Sequence, residues 1–163
     1  MIKTITKEEE LREKIVKLAL SLHKRPYKHD YFVPDSFDCV SFIIYIYTMN
    51  MNIDLLKDGY GLSTTTMLMT SSAGVLSYFE EGTINHDFSN LKKGDILFFH
   101  RQSMNDFEPR EDNRYPGHCG IYLGDNRVIH ATSYYHHVAF NNLETSEFWT
   151  RKLVASKNII SYS

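Results

Sequence analysis

The sequence predicts an α+β domain, with helices in the first half and antiparallel strands in the second. Two observations carry this reading. Before residue 50 the apolar residues recur at helical spacing or fill whole helical turns. After residue 94 short apolar runs alternate with tight-turn residues. The length of 163 residues suits one domain spanning 1–163, and 42% hydrophobic residues suffice for a sizeable core. An aromatic share of 13% also points to a folded chain.

The first helix is expected to start at Thr6, since Glu8, Glu9 and Glu10 place acids in its first turn. Leu11, Ile15, Leu18 and Leu22 carry it to about His23. Residues 24–37 hold Pro26, Pro34 and many polar side chains, and read as loop. A second helix is expected from Asp38 to about Met49. It is apolar nearly all round, as a helix in the centre of a domain would be. Residues 50–61 read as an irregular connection, and Thr64 to Tyr78 as a shorter helix.

Gly94-Asp95 then marks a turn into the strand Ile96 to His100. Arg101 to Pro116 is a long charged loop, of a length that is often functional. Cys119 to Leu123, the turn Gly124-Asp125-Asn126 and Arg127 to Thr132 form a hairpin. Val138 to Phe140 and Leu153 to Ile160 are further strands.

A formal net charge of -2 gives no reason to expect nucleic acid or an anionic membrane as partner. No stretch approaches the roughly 20 apolar residues of a membrane span. The start, Met1 to Glu10, has no apolar run of the kind a signal peptide carries, so the chain reads as cytoplasmic as written. A form exported with its signal removed, or released by lysis, has the same sequence. Two cysteines, Cys39 and Cys119, make no disulfide framework, and a reduced compartment is the simpler reading.

The chemistry concentrates on three residues. Cys39 opens the second helix, where backbone dipoles favour a thiolate and unpaired N–H groups can receive an oxyanion. The bland counterpart is a small buried apolar residue. His118 precedes a short strand, and alternation turns it away from Cys119, which is expected in the core. His130 lies across the hairpin. Pairing about Asp125 sets His118 opposite a residue near 131, with His130 its near neighbour. A second histidine there can hold the far nitrogen of a base and so fix its tautomer. Cysteine, histidine and orienter make the layout of a nucleophilic hydrolase.

The segments Phe37-Asp38-Cys39-Val40-Ser41-Phe42, Gly94 to Phe99 and Gly117 to Ala131, together with Phe148 to Lys152, resemble the NlpC-type cysteine peptidases of bacteria in order and spacing. The resemblance spans nearly the whole chain. It implies a papain-like α+β fold, a small antiparallel sheet packed on helices, with the nucleophile at a helix N-terminus. It maps Cys39 to the nucleophile, His118 to the base, His130 to the orienting residue and Tyr27 to the tyrosine that shapes the substrate and oxyanion region. It implies hydrolysis of amide bonds in cell-wall peptides, typically after γ-D-glutamate, with a peptide or peptidoglycan fragment as substrate and no cofactor.

The sequence departs from that pattern in places. Val40 and Ser41 stand where the family usually has serine and glycine, and Lys28, His29 and Asp30 replace a glycine pair. Asp38 has two readings, helix cap or holder of a substrate amine. His136-His137 make no metal site, because neighbours on a strand point to opposite faces. His23, His86 and His100 read as surface. Two alternatives stand beside the peptidase: an amidase or acyltransferase acting on a non-wall substrate, and an inactive peptide-binding relative. The oligomeric state is left open.

Overall fold

The structure, a computed structural model, describes residues 4–51, 83–85, 88–100 and 117–162. The expected helix 64–78, the loop 101–116 and His86 lie outside the described residues.

Helix α1 spans Lys7–Ser21. The Thr6 hydroxyl accepts from the Glu9 N–H at 3.1 Å, and the Glu9 carboxylate accepts from the Thr6 N–H at 3.2 Å. This capping box satisfies two donors that a helix start leaves unpaired. Ile15, Val16 and Ala19 line its buried face. Arg12 is buried with them, and donates to Asp95 Oδ1 at 2.8 Å, the Lys93 carbonyl at 2.8 Å and Asn158 Oδ1 at 2.9 Å. One guanidinium thus ties α1 to the turn before one strand and to the end of another.

Helix α2 spans Cys39–Met51. Its buried side chains include Val40, Phe42, Ile43, Ile46 and Tyr47, as its all-round apolar sequence predicts. Tyr47 donates from its hydroxyl to the Gly94 carbonyl. That bond fixes the far end of the helix against the sheet.

Among the described residues the sheet has six antiparallel strands: β1 Thr83–Asn85, β2 Ile96–Phe99, β3 His118–Gly124, β4 Arg127–Thr132, β5 His137–Asn142 and β6 Leu153–Asn158. Their order is β1-β6-β2-β3-β4-β5. A short helix α3, Glu147–Lys152, joins β5 to β6. Both α3 and β1 go beyond the elements expected from sequence.

The sheet is covered on both faces, and alternation assigns the side chains. Ile96, Phe98, Cys119, Ile121 and Ala155 face the core shared with α1 and α2. Leu97, Phe99, Tyr122 and Val128 face the opposite way, around Trp149 of α3. Cys119 is therefore in the core, as expected.

The hairpin register differs from the sequence expectation by one residue. Ile121 pairs with Ile129 and Tyr122 with Val128, a register centred on Asp125 that a bulge between Tyr122 and Gly124 sets off from the Gly124–Arg127 pair at the turn. Carrying the Gly124–Arg127 register on without that bulge would have put His118 and His130 on opposite faces, since a one-residue slip turns every side chain over. The bulge brings them to the same face. His100 is also corrected: it is 4% exposed, buried where β2 ends beside β6, with its N–H bonded to the Lys152 carbonyl.

Candidate active site

The loop before α2 sets the first half of the site. Lys24 N–H donates to the Val138 carbonyl and Val138 N–H to the Arg25 carbonyl, so the chain leaving α1 pairs with the start of β5. On its other side Tyr27 bridges Phe37 in parallel fashion. Tyr27 is thereby clamped between the sheet and the residues that lead into α2. Its phenol is pushed up to about 12, first by burial, then by the negative charges of Cys39 and Asp38 beside it. Tyr27 thus stays protonated through the neutral range.

Asp38 caps α2. Its Oδ1 accepts from the Ser41 N–H at 2.7 Å, and its own N–H donates to the Ser41 hydroxyl at 2.9 Å. The pair forms a capping box in which Ser41 takes the role usually held by Glu or Gln. Burial raises the Asp38 carboxyl above the ordinary carboxylate value, while its bonds from Ser41 act against that shift. Cys39 follows as the first helical residue, half-buried, with its carbonyl accepting from the Cys119 thiol at 3.5 Å. The first turn of α2 therefore abuts the start of β3, next to His118. Cys39 and Cys119 are thiols, not a disulfide.

The two histidines form the second half. His118 Nε2 lies 2.6 Å from His130 Nδ1. His118 sits at the start of β3 and His130 in the middle of β4, and the pair meets diagonally across the two strands. The second His130 nitrogen, Nε2, lies 2.8 Å from Asn141 Oδ1, and Asn141 Nδ2 donates to the Tyr135 hydroxyl at 3.0 Å. Burial drives the His130 imidazole down to about 3, helped by the nearby charge of His118 and opposed by the bond to Asn141. His130 is therefore neutral at any ordinary working pH.

Aromatic rings wall the pair in. Trp149 meets His130 edge-on at 4.5 Å and lies 5.4 Å from His118. Phe99 lies 5.8 Å from His118 and packs on Trp149 at 5.6 Å. These rings exclude water from the two-histidine contact and hold both imidazoles in place.

The structure thus joins His118 to His130 and gathers Tyr27, Asp38 and Cys39 at the head of α2. Val40 is only 3% exposed and packs in the core. Asn141 and Tyr135 were missed in the sequence. Asn141 was legible in principle: Ala139 pairs with His130, and alternation puts position 141 on the same face. The strand was expected to stop at Phe140, one residue short.

The NlpC/P60 family matches residues 24–158 of this chain. A curated relative, gamma-DL-glutamyl hydrolase of Bacillus subtilis, is 27% identical over 154 residues, covering 94% of this chain and 29% of the relative. The chain thus spans under a third of that protein's length. Among solved structures, NlpC2 of Trichomonas vaginalis superposes with a TM-score of 0.65 at 18% identity, covering 98% of this chain and 48% of that one. The peptidoglycan hydrolase RipB of Mycobacterium tuberculosis gives 0.60 at 14% identity, covering 97% and 70%. The fold is the papain-like one these structures share, and the chain belongs to the NlpC/P60 family.

Proposed function

We propose that this protein is a cysteine peptidase that hydrolyses amide bonds in cell-wall peptides, at the bond after γ-D-glutamate. The observation that carries the reading is the His118–His130 contact of 2.6 Å beside a cysteine at a helix start. Membership of the NlpC/P60 family and the similarity to a gamma-DL-glutamyl hydrolase support the substrate class.

The chemistry is acyl transfer in two steps. His118 takes the proton of the Cys39 thiol, and the thiolate adds to the substrate carbonyl carbon. The backbone N–H of Cys39 receives the oxyanion, with the Tyr27 hydroxyl as a second donor. His118 returns the proton to the leaving amine, and the C–N bond breaks to give a thioester. Water, deprotonated by His118, then attacks the thioester and releases the acid and the thiol. His130 holds the base in register throughout.

A second reading keeps the chemistry and changes the acyl group. Val40 is buried and presents no hydroxyl to a substrate, and the Asp38 carboxylate is engaged in capping α2. Those two features favour an amide or ester substrate without a free amine next to the scissile bond.

Purified peptidoglycan and L-Ala-γ-D-Glu peptides, incubated with the protein and read by mass spectrometry, decide between them. Release of fragments ending in γ-D-glutamate by the wild type, and none by Cys39→Ala, is the expected result. Equal release by both proteins would sink the mechanism. No release, with Cys39 alkylating fast at neutral pH, would move the proposal to the second reading.

A further inference from the structure

The hydrogen-bond chain does not stop at His130, and its far end decides which nitrogens carry protons. Resting on the peptidase reading above, we propose that Asn141 is a positioning residue that sets the tautomers of the His118–His130 pair.

Asn141 Nδ2 donates to the Tyr135 hydroxyl at 3.0 Å, and its Oδ1 faces His130 Nε2 at 2.8 Å. An amide oxygen only accepts, so His130 Nε2 must carry a hydrogen. His130 is fully buried and its imidazole stays neutral, so only one of its nitrogens is protonated. Nδ1 is then a lone pair, and it faces His118 Nε2 at 2.6 Å. His118 Nε2 must donate to it. In neutral His118 that leaves Nδ1 as the basic nitrogen. When His118 gains a proton from Cys39, the donor at Nε2 is unchanged and nothing in the chain needs to move.

A reversed amide would invert every step. His130 Nε2 would accept, its Nδ1 would donate to His118 Nε2, and His118 Nδ1 would hold a hydrogen and be unable to act as base. The imidazolium form of His118 would then face a donor across 2.6 Å. Asn141 is thus to His130 what His130 is to His118, one diagonal step further along the sheet. It touches neither thiol nor substrate in this role.

The test is nitrogen-15 NMR of the histidine side chains in the full chain at neutral pH, with His118→Gln and His130→Gln for assignment. In the wild type His130 is expected to be protonated at Nε2 and unprotonated at Nδ1. Asn141→Leu, which cannot accept, should lose that pattern and slow alkylation of Cys39 by iodoacetamide by about tenfold or more, the usual cost of losing such an orienting partner. Asn141→Asp, which still accepts, should keep the pattern and alkylate within about threefold of wild type, an expectation from its retained acceptor. A purely structural Asn141 would lower the melting temperature without moving the tautomers. A wild-type His130 protonated at Nδ1 overturns the proposal, even if the leucine variant does not fold. Tautomers as expected in a protein that cleaves no peptide would support the role of Asn141 and count against the peptidase reading instead.

Discussion

A Cβ built on Gly120 would lie 3.0 Å from the Cβ of His130, and 2.8 Å from a methyl of Val128. Strand β3 therefore leaves its side-chain volume empty at the point where β4 swings His130 toward His118. The backbone carbonyl of Ile129, 2.9 Å from the same point, leaves little freedom to relax.

Gly120→Ala should accordingly be costly out of proportion to one methyl group. Overpacking of this kind costs about 1–3 kcal/mol, and thermal unfolding measures it. The displaced His130 should also slow alkylation of Cys39, although Cys39 lies on a different element. A variant as stable and as reactive as wild type would mean the strands separate easily there.

Local signals are more legible in the sequence than the pairing registers between distant strands. Thr6 with Glu9 marks the start of α1 within four residues, and Cys39 opens a run apolar enough to be recognised as a central helix. The His118–His130 partnership was expected, yet the register assumed for it was one residue out. The bulge after Tyr122 has no local signature beyond the glycine at 124, and its consequence appears only when two strands are paired. Asn141 is harder still, since its role depends on a second register, that of β4 on β5. His100 was misread because its burial comes from β6, which arrives more than fifty residues later in the chain.

The neutrality of His130 predicts a pH dependence of stability. Its imidazole titrates at about 3 in the folded protein, against 6.5 for an unhindered histidine. The folded value is depressed, so the unfolded chain binds the proton first as pH falls. The stability tied to neutral His130 is full above pH 6.5 and drains away toward pH 3. Denaturant unfolding at a series of pH values should show wild type losing up to about 1.4 kcal/mol more per pH unit than His130→Gln across that window. Parallel curves would mean that His130 takes up a proton inside the folded protein.

Tyr27 separates geometry from chemistry. With its phenol pushed up to about 12, it offers an O–H throughout the neutral range. Tyr27→Phe should keep the clamp between Phe37 and the start of β5, because those bonds are made by backbone. The melting temperature should hold. If the hydroxyl serves the oxyanion, kcat on a γ-D-glutamyl peptide should fall by about 100-fold with little change in KM. A rise in KM at constant kcat would make Tyr27 a wall of the substrate site and no more.

Asp38 has two possible duties, and two substitutions tell them apart. Its carboxylate caps α2 through the Ser41 N–H at 2.7 Å. Asp38→Asn retains a capping side chain, since asparagine caps about as well as aspartate, whereas Asp38→Ala removes the cap at a cost of about 1 kcal/mol. Thermal unfolding should therefore place the asparagine variant near wild type and the alanine variant below it. Activity then reports on the charge by itself. A substrate amine held by the carboxylate would make Asp38→Asn raise KM for peptides with a free N-terminus and leave N-acetylated peptides unaffected. Because the carboxylate is already committed to Ser41 and sits in a partly buried setting that disfavours its charge, the expected outcome is that both peptides respond alike. A selective loss on the free amine would show instead that one carboxylate serves helix and substrate at once, and would strengthen the case for a wall peptide with an exposed N-terminus.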